Sequence, residues 1–329
     1  MASRAGAQQL ALRLLPFYRR SVEREQRLQR RIDDFNAAAL VIPQWCADEA
    51  SRYHVNHTIH PSDFIFRYIL STKDGVKAAV TRYFETGNMS ATKLRGILLN
   101  DLKADKRPMS LLEFASGYGC VSRHLKNFSN EIDVWASDIH DEARDFYVSC
   151  LGMKFIKSVT APRDFKPSQT FDAVFALSFF SHIPEATWGQ WLRALFACTG
   201  RGGYLIFTTH GIVSNRGLKG FSEKGFKFEP HSEQKDLSVQ EYGHTCTTPT
   251  FVRGEVSTLE NAELFLFREG DWWGHQDLYV VRKKCWQSPN DEAMLPCGAD
   301  SHVARTFWYP IQRRGNDQVA QLRPDRTSH

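Results

Sequence analysis

The residues best suited to chemistry lie in the stretch SLLEFASGYGCVSRHL, residues 110–125. An apolar run carries the acid Glu113, reaches Gly117 and Gly119, and then changes to the 3.6-residue periodicity of a helix. Glycines at a strand-to-helix turn let backbone N–H groups approach a ligand closely, and the N-terminus of the following helix adds a partial positive charge. The stretch therefore predicts a site for a nucleotide-type cofactor.

Two carboxylates narrow the choice of cofactor. A dinucleotide-binding turn has a third glycine where this chain has Ser122, and Glu113 suits an ammonium or sulfonium group better than a pyrophosphate. The next predicted strand, VWASD, ends in Asp138, nineteen residues beyond Gly119. An acid at that place can accept hydrogen bonds from both ribose hydroxyls of an adenosine. The pattern disfavours a nicotinamide or flavin and favours an adenosine that carries a cationic group.

Alternating strand and helix patterns must position these residues. From about Arg107 onward, strand-like runs such as SLLEFA, IDVWASD and FDAVFALSF alternate with helical stretches, which is typical of parallel strands joined by crossover helices. Further along, AELFLFREG and DLYVVRKK are predicted strands joined by DWWGHQ. The prediction is an α/β protein whose mostly parallel sheet ends in an antiparallel hairpin.

The chain divides into three predicted parts. Residues 1–106 are predicted to form a helical N-terminal arm and cap, residues 107–285 the α/β domain, and residues 286–329 a loosely structured tail. Within the α/β domain, the polar, glycine-rich residues 211–248 are too long for a simple connection. We predict that they form a lid over the ligand, because loops at the carboxyl ends of parallel strands surround it.

Two helices are predicted in the cap. STKD is a capping box ahead of the stretch GVKAAVTRYFE, a helix that Gly87 is expected to close. A second helix is expected from about Ser90 to Lys103.

With these features the sequence resembles the class I S-adenosylmethionine-dependent methyltransferases. The matching residues are Leu111, Leu112, Glu113, Gly117, Gly119, Asp138 and the run FDAVFALSFFSHIP. The resemblance covers about residues 107–284 and implies a Rossmann-like seven-stranded sheet. The first glycine of the family's turn is Ala115 here, a change that is tolerated unless the position needs a positive φ.

The resemblance also implies a cofactor and a reaction. Glu113, Ala115, Gly117 and Gly119 would hold the methionine part of S-adenosylmethionine, Asp138 its ribose, and Ile139 its adenine face. Leu177 is a further candidate for binding the cofactor. The last part of the sequence looks like a poorly characterised bacterial group of these enzymes. That likeness implies methyl transfer to a hydroxyl or amine of a small-molecule or glycan-type acceptor.

Three residues are candidates for work on the acceptor. His182 follows the fourth predicted strand, where a parallel sheet opens its ligand crevice. A histidine there either acts as a general base or caps the next helix, and the sequence leaves both readings open. Tyr242 and His244, in the predicted lid, could bring polar groups to the nucleophile, with Phe221, Phe226 and Phe228 as cover.

Composition and cysteine spacing argue against a membrane-spanning or secreted protein. The net charge is +5, hydrophobic residues make up 42%, and no run reaches the roughly 18 apolar residues of a membrane span. The first 22 residues hold four arginines and no acid, for which a basic surface helix is favoured over a targeting segment. The seven cysteines show no C-x-x-C spacing, which indicates a reducing, cytoplasmic location.

Metal and nucleic-acid binding are not predicted. His54, His57 and His60 are three apart, but on a helix this spacing carries the third away from the face of the first, and no Cys or acid completes a set. Basic residues form no patch with interleaved aromatics. Two alternatives to the methyltransferase remain: a non-catalytic cofactor-binding protein of the same fold, and an NAD(P)-dependent oxidoreductase.

Overall fold

The computed structural model describes residues 42–73, 75–102, 108–231 and 237–285. The predicted N-terminal arm and the tail over residues 286–329 lie outside the described residues. Seven α-helices lie within them: α1 Ile42–Arg52, α2 Phe64–Thr72, α3 Val76–Gly96, α4 Ser122–Leu125, α5 Asp141–Phe146, α6 Glu185–Ala197 and α7 Pro249–Ser257. The strands are β1 Met109–Phe114, β2 Ile132–Asp138, β3 Lys154–Lys157, β4 Phe171–Ala176, β5 Thr199–His210, β6 Phe226–Glu229, β7 His244–Thr247, β8 Ala262–Trp272 and β9 Gln276–Lys283.

The sheet is mixed and mostly parallel, as predicted. Strands β3, β2, β1, β4 and β5 lie side by side in parallel, and β9 then pairs antiparallel with both β5 and β8. These seven strands correspond to the seven that were predicted. The described residues hold nine, because the predicted lid contributes β6 and β7: β6 pairs antiparallel with β7, and β7 pairs with β5 at His210 and Cys246.

Apolar side chains cover both faces of the sheet. One face packs against the end of α3 and against α5, through residues such as Leu94, Leu98 and Phe146. The other packs against α6 and α7, where Trp188 and Trp191 are buried. A third cluster joins α1, α2 and α3 to Cys120 in the turn after β1. No helix of the described residues is long and apolar enough to cross a bilayer.

The predicted break of the cap helix at Gly87 is wrong. Helix α3 begins after Gly75, without a side-chain cap, runs through Gly87 to Gly96, and continues as a π-helical turn to Asp101. A Cβ on Gly87 would lie 2.1 Å from the carbonyl oxygen of Cys120. Gly87 is therefore explained by the close approach of α3 to the turn after β1, and a glycine selected for close packing has the same sequence signature as one that ends a helix.

This packing gives a stability prediction with an internal control. Alanine is better than glycine inside a helix by about 1 kcal/mol, so Gly96→Ala, whose Cβ would lie 3.9 Å from its nearest neighbour, should raise the free energy of unfolding. Gly87→Ala should instead lower it by about 1–3 kcal/mol, because the overpacking at Cys120 outweighs helix propensity. Urea unfolding of both variants checks this; a gain in both would show that α3 has room at Gly87.

Candidate active site

A cavity of about 280 Å³ opens at the carboxyl ends of β1, β2 and β4. The turn after β1 forms its floor, Asp138 and Ile139 follow from β2, and Leu177 follows β4. The start of α2 closes one side of the cavity through Asp63 and Phe64, and residues 237–242 close another. Buried carboxylates, aromatic rings and a strand-to-helix turn thus meet in one crevice.

Glu113 provides a buried acid at the end of β1. Its side chain is 3% exposed and accepts a hydrogen bond from the hydroxyl of Ser122. The Ser122 oxygen also lies 2.8 Å from the hydroxyl of Tyr147. Burial raises the pKa of Glu113 to about 7, with the charge of Asp138 acting in the same direction and the Ser122 hydrogen bond opposing both. A cation placed next to this carboxyl group would favour its ionised form.

Asp138 fixes the shape of the turn from the neighbouring strand. One carboxylate oxygen accepts a hydrogen bond from the backbone N–H of Gly117 at 2.8 Å. The other lies 3.1 Å from the backbone nitrogen of His140 and 2.6 Å from its Nδ1. Since a carboxylate can accept about four hydrogen bonds, acceptor capacity remains for a ligand on the cavity side.

The turn itself holds three residues in the left-handed region. Gly117 and Gly119 have φ values of +57° and +82°, and Ala115 has φ +56°. The position of Ala115 therefore does need a positive φ, and the alanine there bears strain of about 1–2 kcal/mol. Gly119 does not line the cavity; a Cβ on it would lie 2.6 Å from Leu151 Cδ1, inside the core.

His182 is held by the predicted lid. Its Nδ1 lies 2.8 Å from the carbonyl oxygen of Gly243, and the backbone N–H of Gly243 donates to the carbonyl of His182, also at 2.8 Å. Because a carbonyl only accepts, Nδ1 carries the hydrogen and the neutral ring keeps a lone pair on Nε2. The ring of Tyr242 stacks on the imidazole at 4.5 Å. Burial lowers the pKa of His182 to about 4.

His182 does not cap the following helix. The N-cap of α6 is Pro184, and no side-chain hydrogen bond caps that helix. The structural reading of His182 as a helix cap is therefore wrong, while its role as a base stays a prediction.

Most of the predicted site residues come together in this cavity. Those that line it are Glu113, Ala115, Gly117, Asp138, Ile139, Leu177, His182 and Tyr242. Gly119 and His244 do not, and neither do Phe221, Phe226 and Phe228. Phe226 instead belongs to the apolar core beside α7. The roles assigned to the lining residues stay predictions.

Two sets of side chains at the site were not predicted from the sequence: those that hydrogen-bond around Glu113, and those by which the N-terminal helices line the cavity. Ser122 could have been found, since it stands where a dinucleotide-binding turn has glycine. Its position disfavours a dinucleotide, but its hydroxyl was not predicted to contact Glu113. Tyr147, in the turn after α5, carries no such signal in the sequence. From the cap, Asp63 and Phe64 line the cavity, and His60 stacks on Tyr118 at 4.4 Å.

Comparison with known proteins shows which enzyme class has this arrangement of residues. A family model described as a methyltransferase domain matches residues 88–246, from α3 through the turn and Asp138 to β7. This part of the chain is a methyltransferase domain. The match confirms the enzyme class that the resemblance implied, a methyltransferase.

Solved methyltransferase structures resemble the chain at low identity. CalS10, an amino pentose methyltransferase from Micromonospora echinaspora, is 17% identical; the match covers 69% of this chain and 99% of that one, with a TM-score of 0.46. A 1,6-didemethyltoxoflavin-N1-methyltransferase from Burkholderia thailandensis is 13% identical, with 69% and 93% covered and a TM-score of 0.42. A search of curated proteins with the sequence of this chain found no match.

The buried acid of the methyltransferase gives a prediction about pH. Because folding raises the pKa of Glu113 to about 7 from 4.5, the folded state binds its proton more tightly than the unfolded state does. The stability that this proton contributes is complete below about pH 4.5 and is lost as the pH rises through about 7. Relative to Glu113→Gln, the wild type should therefore lose free energy of unfolding over that window, on the order of 3 kcal/mol at most.

Urea unfolding of the two proteins between pH 4.5 and about pH 8 measures the difference. Glu263→Gln, at an exposed position on β8, is the control and should follow the wild type throughout. A wild type that gained stability over Glu113→Gln as the pH rose would show that Glu113 is ionised more easily in the folded protein.

Proposed function

We propose that the protein transfers the methyl group of S-adenosylmethionine to a hydroxyl or amine of a small-molecule or glycan-type acceptor, with His182 as general base. The observation that carries the proposal is the hydrogen bond from His182 Nδ1 to the Gly243 carbonyl. It leaves Nε2 as the proton-accepting atom of a neutral ring in the wall of the cofactor cavity.

The cavity residues suit the cofactor's charge and its hydroxyl groups. Glu113, buried and able to ionise near neutral pH, would face the cationic methionine part. Asp138 would accept a hydrogen bond from a ribose hydroxyl while it holds the turn through Gly117. Ile139 and Leu177 offer apolar surface for the adenine. When bound, S-adenosylmethionine supplies a methyl carbon already activated by its sulfonium, so that the acceptor is alkylated and a neutral thioether leaves.

The chain's own contribution is to align the acceptor, exclude water and remove a proton. Burial lowers the pKa of His182 to about 4, which keeps the ring neutral at physiological pH but also makes it a weaker base. Nε2 would therefore take the acceptor's proton as the bond to the methyl carbon forms, when that proton becomes more acidic. Tyr242 stacks on the same ring and would hold it against the acceptor. A hydroxyl needs such a base more than a neutral amine does.

Residues 211–248 act as the lid in this proposal. Leu237, Glu241 and Tyr242 line the cavity, and the paired hydrogen bonds between Gly243 and His182 join the segment to the base. Ligand pockets commonly hold about 300–1,000 Å³. The cavity of about 280 Å³ is at the small end of that range, so the part of an acceptor that enters it must be small.

The test is methyl transfer from methyl-labelled S-adenosylmethionine by the full chain. Small molecules and glycans with free hydroxyls or amines serve as separate sets of acceptors, and labelled product should form in one of them. Binding of the cofactor with no transfer to either set would favour the non-catalytic alternative.

His182→Asn separates the base from its structural setting. The asparagine amide can still donate to the Gly243 carbonyl, but it cannot accept the proton. We expect kcat to fall by about 10²-fold or more, with the affinity for S-adenosylhomocysteine and the melting temperature close to wild type. His231→Ala, at an exposed position of the lid segment, is the control and should turn over normally. Normal turnover by His182→Asn would remove His182 from the chemistry.

A further inference from the structure

A second group of side chains lies at the far end of β5, where the lid segment joins the sheet. His210 is the last residue of β5, and His244 and Cys246 lie on β7. The register of the two strands places His210 opposite Cys246. One ring nitrogen of each histidine and the sulfur of Cys246 all lie within 4.8 Å of one another. We propose that these three residues bind a Zn²⁺ ion that fastens the lid segment to β5.

The donor set indicates the class of metal. Two imidazoles and a thiolate are borderline-to-soft ligands that suit Zn²⁺, whereas Mg²⁺ and Ca²⁺ require oxygen ligands. In a tetrahedral zinc site with bonds of about 2.0–2.3 Å, ligand atoms lie about 3.3–3.8 Å apart. The three atoms therefore need only a small inward movement. The ring of His275 lies 5.9 Å from that of His210 and could supply a fourth ligand.

An unpaired buried atom points to a ligand at this place. Nδ1 of His210 is buried and has no hydrogen-bond partner. Nε2 of the same ring lies 3.2 Å from the side-chain amide of Gln276. Burying a ring nitrogen without a hydrogen-bond partner lowers the stability of the folded protein, and neither β5 nor β7 supplies a partner for this one. A metal ion bound to Nδ1 would satisfy it.

Gln276 can serve as the outer partner that such a ligand needs. Its amide also contacts the hydroxyls of Thr208 and Ser178, and each hydroxyl can either donate or accept. Turning the amide over, which exchanges its oxygen and nitrogen, keeps both of these contacts and presents the oxygen to His210. Nε2–H of His210 then donates to Gln276, and the Nδ1 lone pair is left to bind the metal, the usual arrangement around a metal-bound histidine.

The consequence of metal binding would reach the candidate base. Gly243 precedes His244 and carries both hydrogen bonds to His182. The rings of His182 and His210 are 6.4 Å apart. A metal that fixes β7 against β5 would therefore hold His182 and Tyr242 in place from outside the cavity. It would act as a positioning element, with the methyl transfer itself left to the cavity residues.

The test uses the full chain, first stripped with a chelator and then titrated with Zn²⁺ alone by calorimetry. We expect one ion per chain and a higher melting temperature in its presence. Co²⁺ should give a thiolate-to-metal absorption band, which reports the sulfur ligand directly. Failure of the wild type to bind either metal, or a cobalt complex without the thiolate band, would overturn the proposal.

Variants assign the ligands. Cys246→Ala and His244→Gln should each weaken Zn²⁺ binding at least tenfold, and Cys246→Ala should lose the thiolate band. Cys198→Ala, at a buried cysteine after α6, is the matched control and should bind like the wild type. Far-UV dichroism shows whether each variant is folded, and the half-buried position of His244 makes His244→Gln the safer of the two. Unchanged affinity in both folded variants would show that the metal binds elsewhere.

Discussion

The guanidinium of Arg123 joins the cap to the cofactor turn, and the shape of the cavity depends on it. Arg123 follows the turn after β1, is 2% exposed, and donates to the carbonyls of Gly119 at 2.8 Å and Tyr118 at 3.2 Å. The same group donates to the carbonyls of Asn56 at 3.0 Å and Thr58 at 2.8 Å, in the connection between α1 and α2. Removing it would break all four of these hydrogen bonds, which link the turn to the cap, a loss that hydrophobic packing cannot replace.

The charge of Arg123 is balanced within the same layer. Its guanidinium reaches the hydroxyl of Tyr83 at 3.1 Å, and that hydroxyl donates to Asp63 at 2.6 Å. The other oxygen of Asp63 caps α2 through the N–H of Phe66. A buried cation is tolerated when a buried anion and a full set of hydrogen bonds accompany it. Asp63 also lines the cavity, so this network makes the N-terminal helices part of the cavity wall.

The features that sequence could predict are those encoded by neighbouring residues. The glycine turn and the acid at the end of β2 could be predicted because strand, turn and helix follow each other directly, and the alternation of elements gave the parallel sheet. The function of Gly87 could not be predicted, since the residue it contacts, Cys120, is far along the chain. The same holds for His210 and Cys246, which are brought together by the pairing of β5 with β7.

The surroundings of His182, the candidate base, also could not be predicted from the sequence, because they consist of main-chain contacts. Residues 211–248 looked like a loop because polar residues and glycines dominate them, yet β6 and β7 extend the sheet from within this segment. The contact that fixes His182 is to the main chain of Gly243, where a Cβ would lie 2.5 Å from the carbonyl oxygen of Glu229. The glycine is there so that β6 can approach. Packing of β6 and β7 against the sheet thereby sets the hydrogen bond that determines which nitrogen of His182 can accept a proton.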